Sequence, residues 1–137
     1  MSESVTKLLL VDDNHDILYS VKLGLQRRNF EVDAFANPLM ALDAFQAEKY
    51  DLALLDIQMP EMNGFELYRK LAQIEPELKV CFFTAYENYR EQFKKEFTEI
   101  RSDCFLRKPM SIERLSYEIN KYLQEEGAAS IKETIPR

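Results

Sequence analysis

At 137 residues the chain has the length of one domain, and 46% hydrophobic residues, with nine Phe and seven Tyr, supply a sizeable core. Its 24 acidic residues exceed its 18 basic ones, a formal charge of -6 that argues against a binder of nucleic-acid phosphates. The three glycines, Gly24, Gly64 and Gly127, are too scattered to write a glycine-rich nucleotide loop, which excludes P-loop and dinucleotide-binding enzymes.

The first seven residues carry no apolar leader-like region, and the aliphatic run that follows, Leu8 to Val11, is far too short to cross a bilayer. The expectation is a soluble, cytoplasmic protein with no membrane partner. Leu8 to Val11 predicts a buried first strand. Behind Asn14 and Asp16, which favour a helix start, Ile17, Leu18, Val21 and Leu25 recur at helical spacing and predict the first helix. Val32 to Phe35 predicts a second strand, placed at a sheet edge because Asp33 interrupts it. Asn37-Pro38 offers a cap and a proline at the first helical position, opening a second helix with an expected apolar face of Leu39, Leu42 and Phe45.

Leu52 to Leu55 predicts the third strand. After Asn63-Gly64, where the glycine is expected to supply a backbone angle other residues resist, Phe65, Leu67, Tyr68 and Leu71 predict a third helix that Pro76 stops. Val80 to Phe83 is the fourth strand. Tyr86, Tyr89, Phe93, Phe97 and Ile100 mark an amphipathic fourth helix, and Cys104 to Leu106 the fifth strand. Cys81 and Cys104 both lie in short apolar segments, which suits burial in a reducing compartment better than a disulfide framework or a zinc site. A fifth helix, capped by Ser111, carries Ile112, Leu115, Ile119, Tyr122 and Leu123 along one stripe and is expected to end at Gly127. That places one domain at residues 1–127 and a frayed tail at 128–137.

Five alternating strands and helices, with strands apolar on both faces, imply an α/β fold with a doubly wound five-stranded parallel sheet. Functional residues in such sheets gather at the C-terminal strand ends. Here those ends are Asp12-Asp13, Asp56, Thr84-Ala85 and Lys108-Pro109. Taken singly, an Asp after a strand is a turn former or helix cap, Thr84 a cap, and Lys108 a solvated loop lysine. Converging on one edge, three carboxylates repel one another and call for a cation, and an oxygen-only donor set points to Mg²⁺.

In order and spacing, Leu9-Leu-Val-Asp-Asp13, Leu55-Asp-Ile-Gln-Met-Pro-Glu-Met-Asn-Gly64, Phe83-Thr-Ala85 and Phe105-Leu-Arg-Lys-Pro109 resemble the response regulator receiver domains of the CheY-like superfamily, in particular the stand-alone single-domain type. The resemblance covers roughly residues 5 to 126. It implies a flavodoxin-like (βα)5 fold with strand order 2-1-3-4-5, and a phosphoacceptor role in a two-component phosphorelay. It further implies Asp56 as the aspartyl phosphate site, and Mg²⁺, or alternatively Mn²⁺, held by Asp12, Asp13, Asp56 and the Gln58 backbone carbonyl. Thr84 and Lys108 would meet phosphoryl oxygens, and Ala85 would leave access to Asp56. Such a chain is no enzyme beyond transfer to and hydrolysis from its own Asp56. Thr84 would couple to Phe105, the aromatic at the family's switch position, although a Phe can switch only through packing. A cis peptide before Pro109 is common in the family.

Implied partners are a sensor histidine kinase or phosphotransfer protein and a downstream protein of unknown identity. The implied output face is the fourth helix, fifth strand and fifth helix, where Lys94, Lys95, Asp103, Arg107, Glu113, Arg114, Glu118 and Lys121 could support a homodimer. Gln58 and Tyr86 occupy positions that tune phosphoryl lifetime in the family. The segment from Ala85 to Ser102 departs from the pattern in being long and rich in aromatics and charge. His15, the only histidine, is expected to be exposed, with a phosphorelay role as a minor alternative. Two other functions fit the fold: a binding module that works without phosphorylation, and a small aspartyl-phosphate hydrolase, although Gln58 stands where the latter would need a second acid.

Overall fold

In the computed structural model, which describes residues 5–85, 95 and 104–132, the aliphatic runs form strands β1 (Thr6–Val11), β2 (Phe30–Phe35), β3 (Leu52–Leu55), β4 (Val80–Thr84) and β5 (Cys104–Arg107). They make one parallel sheet of order β2-β1-β3-β4-β5. Successive residues of a strand face opposite ways, so the continuous runs feed two cores at once. Leu9, Val11, Leu55 and Phe82 pack with Phe65 and Leu71 on one face. Leu8, Leu10 and Leu54 pack with Val21, Leu25, Leu115 and Ile119 on the other. Each such fully buried aliphatic contributes roughly 1.5–3 kcal/mol relative to exposure.

The helices α1 (His15–Gln26), α2 (Pro38–Ala44), α3 (Gly64–Ile74) and α4 (Ile112–Lys132) flank the sheet. Their starts follow the expected chemistry: Asn14 accepts from the Ile17 N–H at 3.1 Å, Asn37 from Leu39 and Met40, and Ser111 from Arg114. At α3, Asn63 accepts from the Glu66 N–H at 2.9 Å while Glu66 accepts from the Asn63 N–H at 2.8 Å. Replacing Asn63 with alanine breaks this reciprocal pair and should cost about 1 kcal/mol, read as a lowered denaturant midpoint. Apart from Lys95, the helix expected over Tyr86 to Ile100 lies outside the described residues, as do Lys94 and Asp103.

Several expectations need correction. On α2 Leu39 is turned to solvent, while Phe45 at the helix end is buried and Leu42 packs partly against the core beside the buried Pro38 and Ala41. The last helix runs through Gly127 to Lys132. One interior glycine costs a helix only about 1 kcal/mol, and the neighbouring Ala128 and Ala129 are strong helix formers. No described glycine has a positive φ, so Gly64 serves a close approach and supplies no special angle. Asp33 is tolerated in β2 because its carboxylate accepts the Tyr50 hydroxyl at 2.7 Å and pairs with Lys49 at 3.4 Å. The Tyr50 hydrogen bond, ahead of the lysine, holds that carboxyl below its usual range.

The cysteines are also not free thiols. Cys81 and Cys104 are register partners on β4 and β5, with Cα atoms 4.6 Å apart, and form a disulfide. A separation of 23 residues hides that pairing until the strand register is known.

Candidate functional site

The sheet delivers the polar strand ends to one edge. Asp56 N–H donates to the Val11 carbonyl at 2.9 Å, Asp12 N–H to that of Phe35 at 3.1 Å, and Lys108 N–H to that of Thr84 at 2.9 Å, so the ladder of hydrogen bonds continues one residue past β1, β3 and β5. A cleft of about 630 Å³ opens there, lined by Asp13, Asn14, Ile17, Asp56, Gln58, Thr84, Ala85 and Lys108. Ala85 and Gln58 are exposed at its mouth, while Thr84 is buried beneath it.

Asp12, Asp13 and Asp56 each place a carboxylate oxygen within 4.8 Å of the other two. Asp12, 2% exposed, is already engaged on both oxygens. One accepts the Asn14 N–H at 2.9 Å and the other meets the Lys108 ammonium at 2.5 Å. Lys108 also lies 3.7 Å from an Asp56 oxygen and 5.4 Å from the centre of the Phe83 ring. Asp13 is half-buried and borders the cleft, which leaves it and Asp56 as the more open carboxylates. Burial pushes the Asp56 carboxyl up to about 7, helped by the like charges of Asp12 and Asp13 and only partly opposed by Lys108 and the Ile57 N–H. An all-oxygen cluster whose central acid resists ionising fits a small hard divalent cation such as Mg²⁺.

The loop after Asp56 is clamped to it. Gly64 N–H donates to the Ile57 carbonyl at 2.8 Å, and a Cβ on Gly64 would fall 2.3 Å from the Asp56 carbonyl oxygen. Glu61, at φ 73°, takes the left-handed conformation in this loop, and its carboxylate accepts from the Asn37 amide at 3.4 Å. The Lys108-Pro109 peptide is cis. Phe105, half-buried, stacks on Phe82 with ring centres 5.1 Å apart. His15 is exposed at the first position of α1.

Thus Asp12, Asp13, Asp56, Thr84 and Lys108 meet in one place, with Gln58 and Ala85 at the rim; His15 stays on the surface, Phe105 packs against the core, and Tyr86 lies outside the described residues. The sequence reading missed Asn14 as the backbone holder of Asp12, and nothing in residue identity signals a main-chain donor. It also missed Glu66 of the capping box, although Asn63-x-x-Glu66 was there to be seen.

The family model for the response regulator receiver domain matches residues 8–120. A response regulator receiver protein, CpdR of Brucella abortus, is 32% identical over 117 residues, which span 85% of this chain and 96% of that protein. A crystal structure of a CheY-like receiver domain protein from Methanospirillum hungatei superimposes with a TM-score of 0.80 at 29% identity, over 92% of this chain and 99% of that one. The response regulator TrrA of Thermotoga maritima, solved in complex with Mg²⁺-BeF, superimposes with a TM-score of 0.73 at 29% identity, over 85% and 98% of the two chains. Sequence and fold agree over nearly the whole length of these relatives, and the chain belongs to the response regulator receiver domain family.

Proposed function

We propose that the chain is a phosphoacceptor receiver of a two-component phosphorelay, with residues 1–127 as the receiver unit and Asp56 as the aspartate that takes the phosphoryl group. The observation that carries this is the meeting of Asp12, Asp13, Asp56 and Lys108 at the strand ends, above Thr84, in a cleft open to a phosphodonor. Asp13, Asp56 and the Gln58 carbonyl would hold Mg²⁺, with Asp12 beside them, and the ion would offset charge on the phosphoryl oxygens; Mn²⁺ would suit the same donors.

An Asp56 carboxylate oxygen attacks the donor's phosphorus, the donor's leaving group departs in line, and an acyl phosphate remains on Asp56. Lys108, already within 3.7 Å of Asp56, pairs with a phosphoryl oxygen, and the Thr84 hydroxyl donates to another. The reaction needs position and charge more than an acid or base, which suits a site without a buried histidine. Drawing Thr84 inward disturbs β4 and, through the Phe82–Phe105 stack, β5, biasing the face built from β5, α4 and the expected 86–100 helix. That face would bind a downstream protein or a second copy of the chain. The phosphodonor would be a sensor histidine kinase or a phosphotransfer protein in the cytoplasm. No described helix is long and apolar enough to cross a membrane.

Incubation with acetyl phosphate and Mg²⁺ should add one phosphate to the intact mass of the wild type and none to Asp56→Asn. A folded wild type whose mass does not change would defeat the proposal.

A further inference from the structure

The Cys81–Cys104 disulfide occupies a strategic place in the sheet. It joins β4 to β5 at the first step of a four-step register, followed by Phe82↔Phe105, Phe83↔Leu106 and Thr84↔Arg107. β5 is a four-residue strand at the edge of the sheet formed by the described residues, so the bond adds a covalent tie at its start to the ladder and packing that hold it on β4. The bond therefore lies one step from the stacked Phe82 and Phe105 rings and three steps, roughly 10 Å of strand, from Thr84. It also has an approach from outside. Cys81 is fully buried, whereas Cys104 is 7% exposed and borders a groove of about 180 Å³ between β5 and α4, walled by Phe105, Glu118, Lys121 and Tyr122.

We propose that this disulfide is a redox-sensitive lock: oxidised, it holds β4 and β5 in fixed register and opposes the movement of Thr84 and Phe105 that phosphorylation demands; reduced, it lets the two strands adjust. This inference rests on the phosphoacceptor function proposed above. In the cytoplasmic setting proposed above, a disulfide is typically a transient or sensing one. The reductant is a dithiol. Its thiolate attacks Cys104 Sγ through the groove, the Sγ–Sγ bond breaks, and the electron pair leaves on Cys81 Sγ, which takes up a proton. The dithiol's second thiolate then attacks the mixed disulfide, releasing the Cys104 thiolate, which is protonated, and leaving the dithiol oxidised to its own disulfide.

The test uses the wild-type chain. Protein purified without reductant should resist alkylation at both cysteines under native conditions and take two alkyl groups after native treatment with dithiothreitol. Oxidised and reduced samples then receive acetyl phosphate and Mg²⁺, and phosphate uptake is followed by intact mass. The reduced form should be phosphorylated at least fivefold faster, the low end of ordinary coupling between sites. A Cys81→Ala, Cys104→Ala chain should match the reduced wild type with or without dithiothreitol; if it fails to fold, the wild-type comparison stands alone. Free cysteines before reduction, or a bond that reacts only after unfolding, would overturn the lock. So would equal rates in the two states, with the phosphoacceptor function left intact. No uptake in either state would overturn both.

Discussion

Replacing Asp56 with asparagine should stabilise the protein at pH 8 in the absence of divalent cations. The native carboxyl is raised to about 7, with burial as the first cause, whereas in the unfolded chain it titrates near about 3.9. Between those two values the native state keeps a proton that the unfolded state has lost, so stability falls as pH rises through that window and stays low above it. A displacement of that size, which already contains the attraction to Lys108, sets a ceiling of about 4 kcal/mol, and the imperfect fit of the amide to the carboxylate's partners takes back part of it. The net gain for Asp56→Asn should be about 1–3 kcal/mol at pH 8, shrinking to about 0.5 kcal/mol or less near pH 4, where the native carboxyl is protonated and the unfolded one is about half protonated. Urea midpoints at the two pH values measure it. Mg²⁺ at pH 8 should raise the wild-type midpoint more than that of the variant and so narrow the gap. A variant less stable than wild type at pH 8, or a gain of equal size at pH 4, would contradict the electrostatic account of the cleft.

Gly64→Ala should do the opposite, and by more. The added methyl would sit 2.3 Å from the Asp56 carbonyl oxygen and 3.0 Å from both the Asp56 carbonyl carbon and the Ile57 Cα. All three are main-chain atoms, so no side chain can rotate away, and the gap closes only by moving the Asp56-Ile57 peptide or the start of α3. Such overpacking typically costs 1–3 kcal/mol, and more here because the Gly64 N–H bond to Ile57 would be stretched. The expected loss is about 2–4 kcal/mol in denaturant unfolding. Any folded fraction should take up phosphate at least tenfold more slowly, since in-line attack tolerates little displacement of Asp56. Wild-type stability with wild-type uptake would show that the loop has room the geometry denies.

Much of this molecule can be read from residue order. Parallel strands buried on both faces must be apolar throughout, so Leu8 to Val11 and Leu52 to Leu55 declare themselves, and their C-terminal ends locate Asp12, Asp13 and Asp56. Caps such as Asn14 and Asn37 are legible because they act within three residues of themselves. What stayed hidden depends on contacts between distant segments. Cys81 and Cys104 look like two buried thiols until the register of β4 against β5 makes them neighbours. The space behind Gly64 exists only because the Asp56 peptide passes there. The same holds for Asp33, whose place in β2 looks unfavourable until Tyr50 and Lys49 reach it. Helix ends were legible only where a strong stop exists: Pro76 follows α3 closely, while Gly127 alone did not outweigh the alanines beyond it.

The phosphoacceptor role can be tested at its own bond. An acyl phosphate on aspartate, unlike a phosphate ester on serine, threonine or tyrosine, is reduced by borohydride to homoserine. Wild-type chain treated with acetyl phosphate and Mg²⁺, then with borohydride, should yield one peptide in which residue 56 is homoserine, and none when Mg²⁺ is withheld. Homoserine at Asp12 or Asp13 in place of Asp56, or phosphate that survives borohydride on a hydroxyl residue, would contradict the assignment of Asp56 as the acceptor.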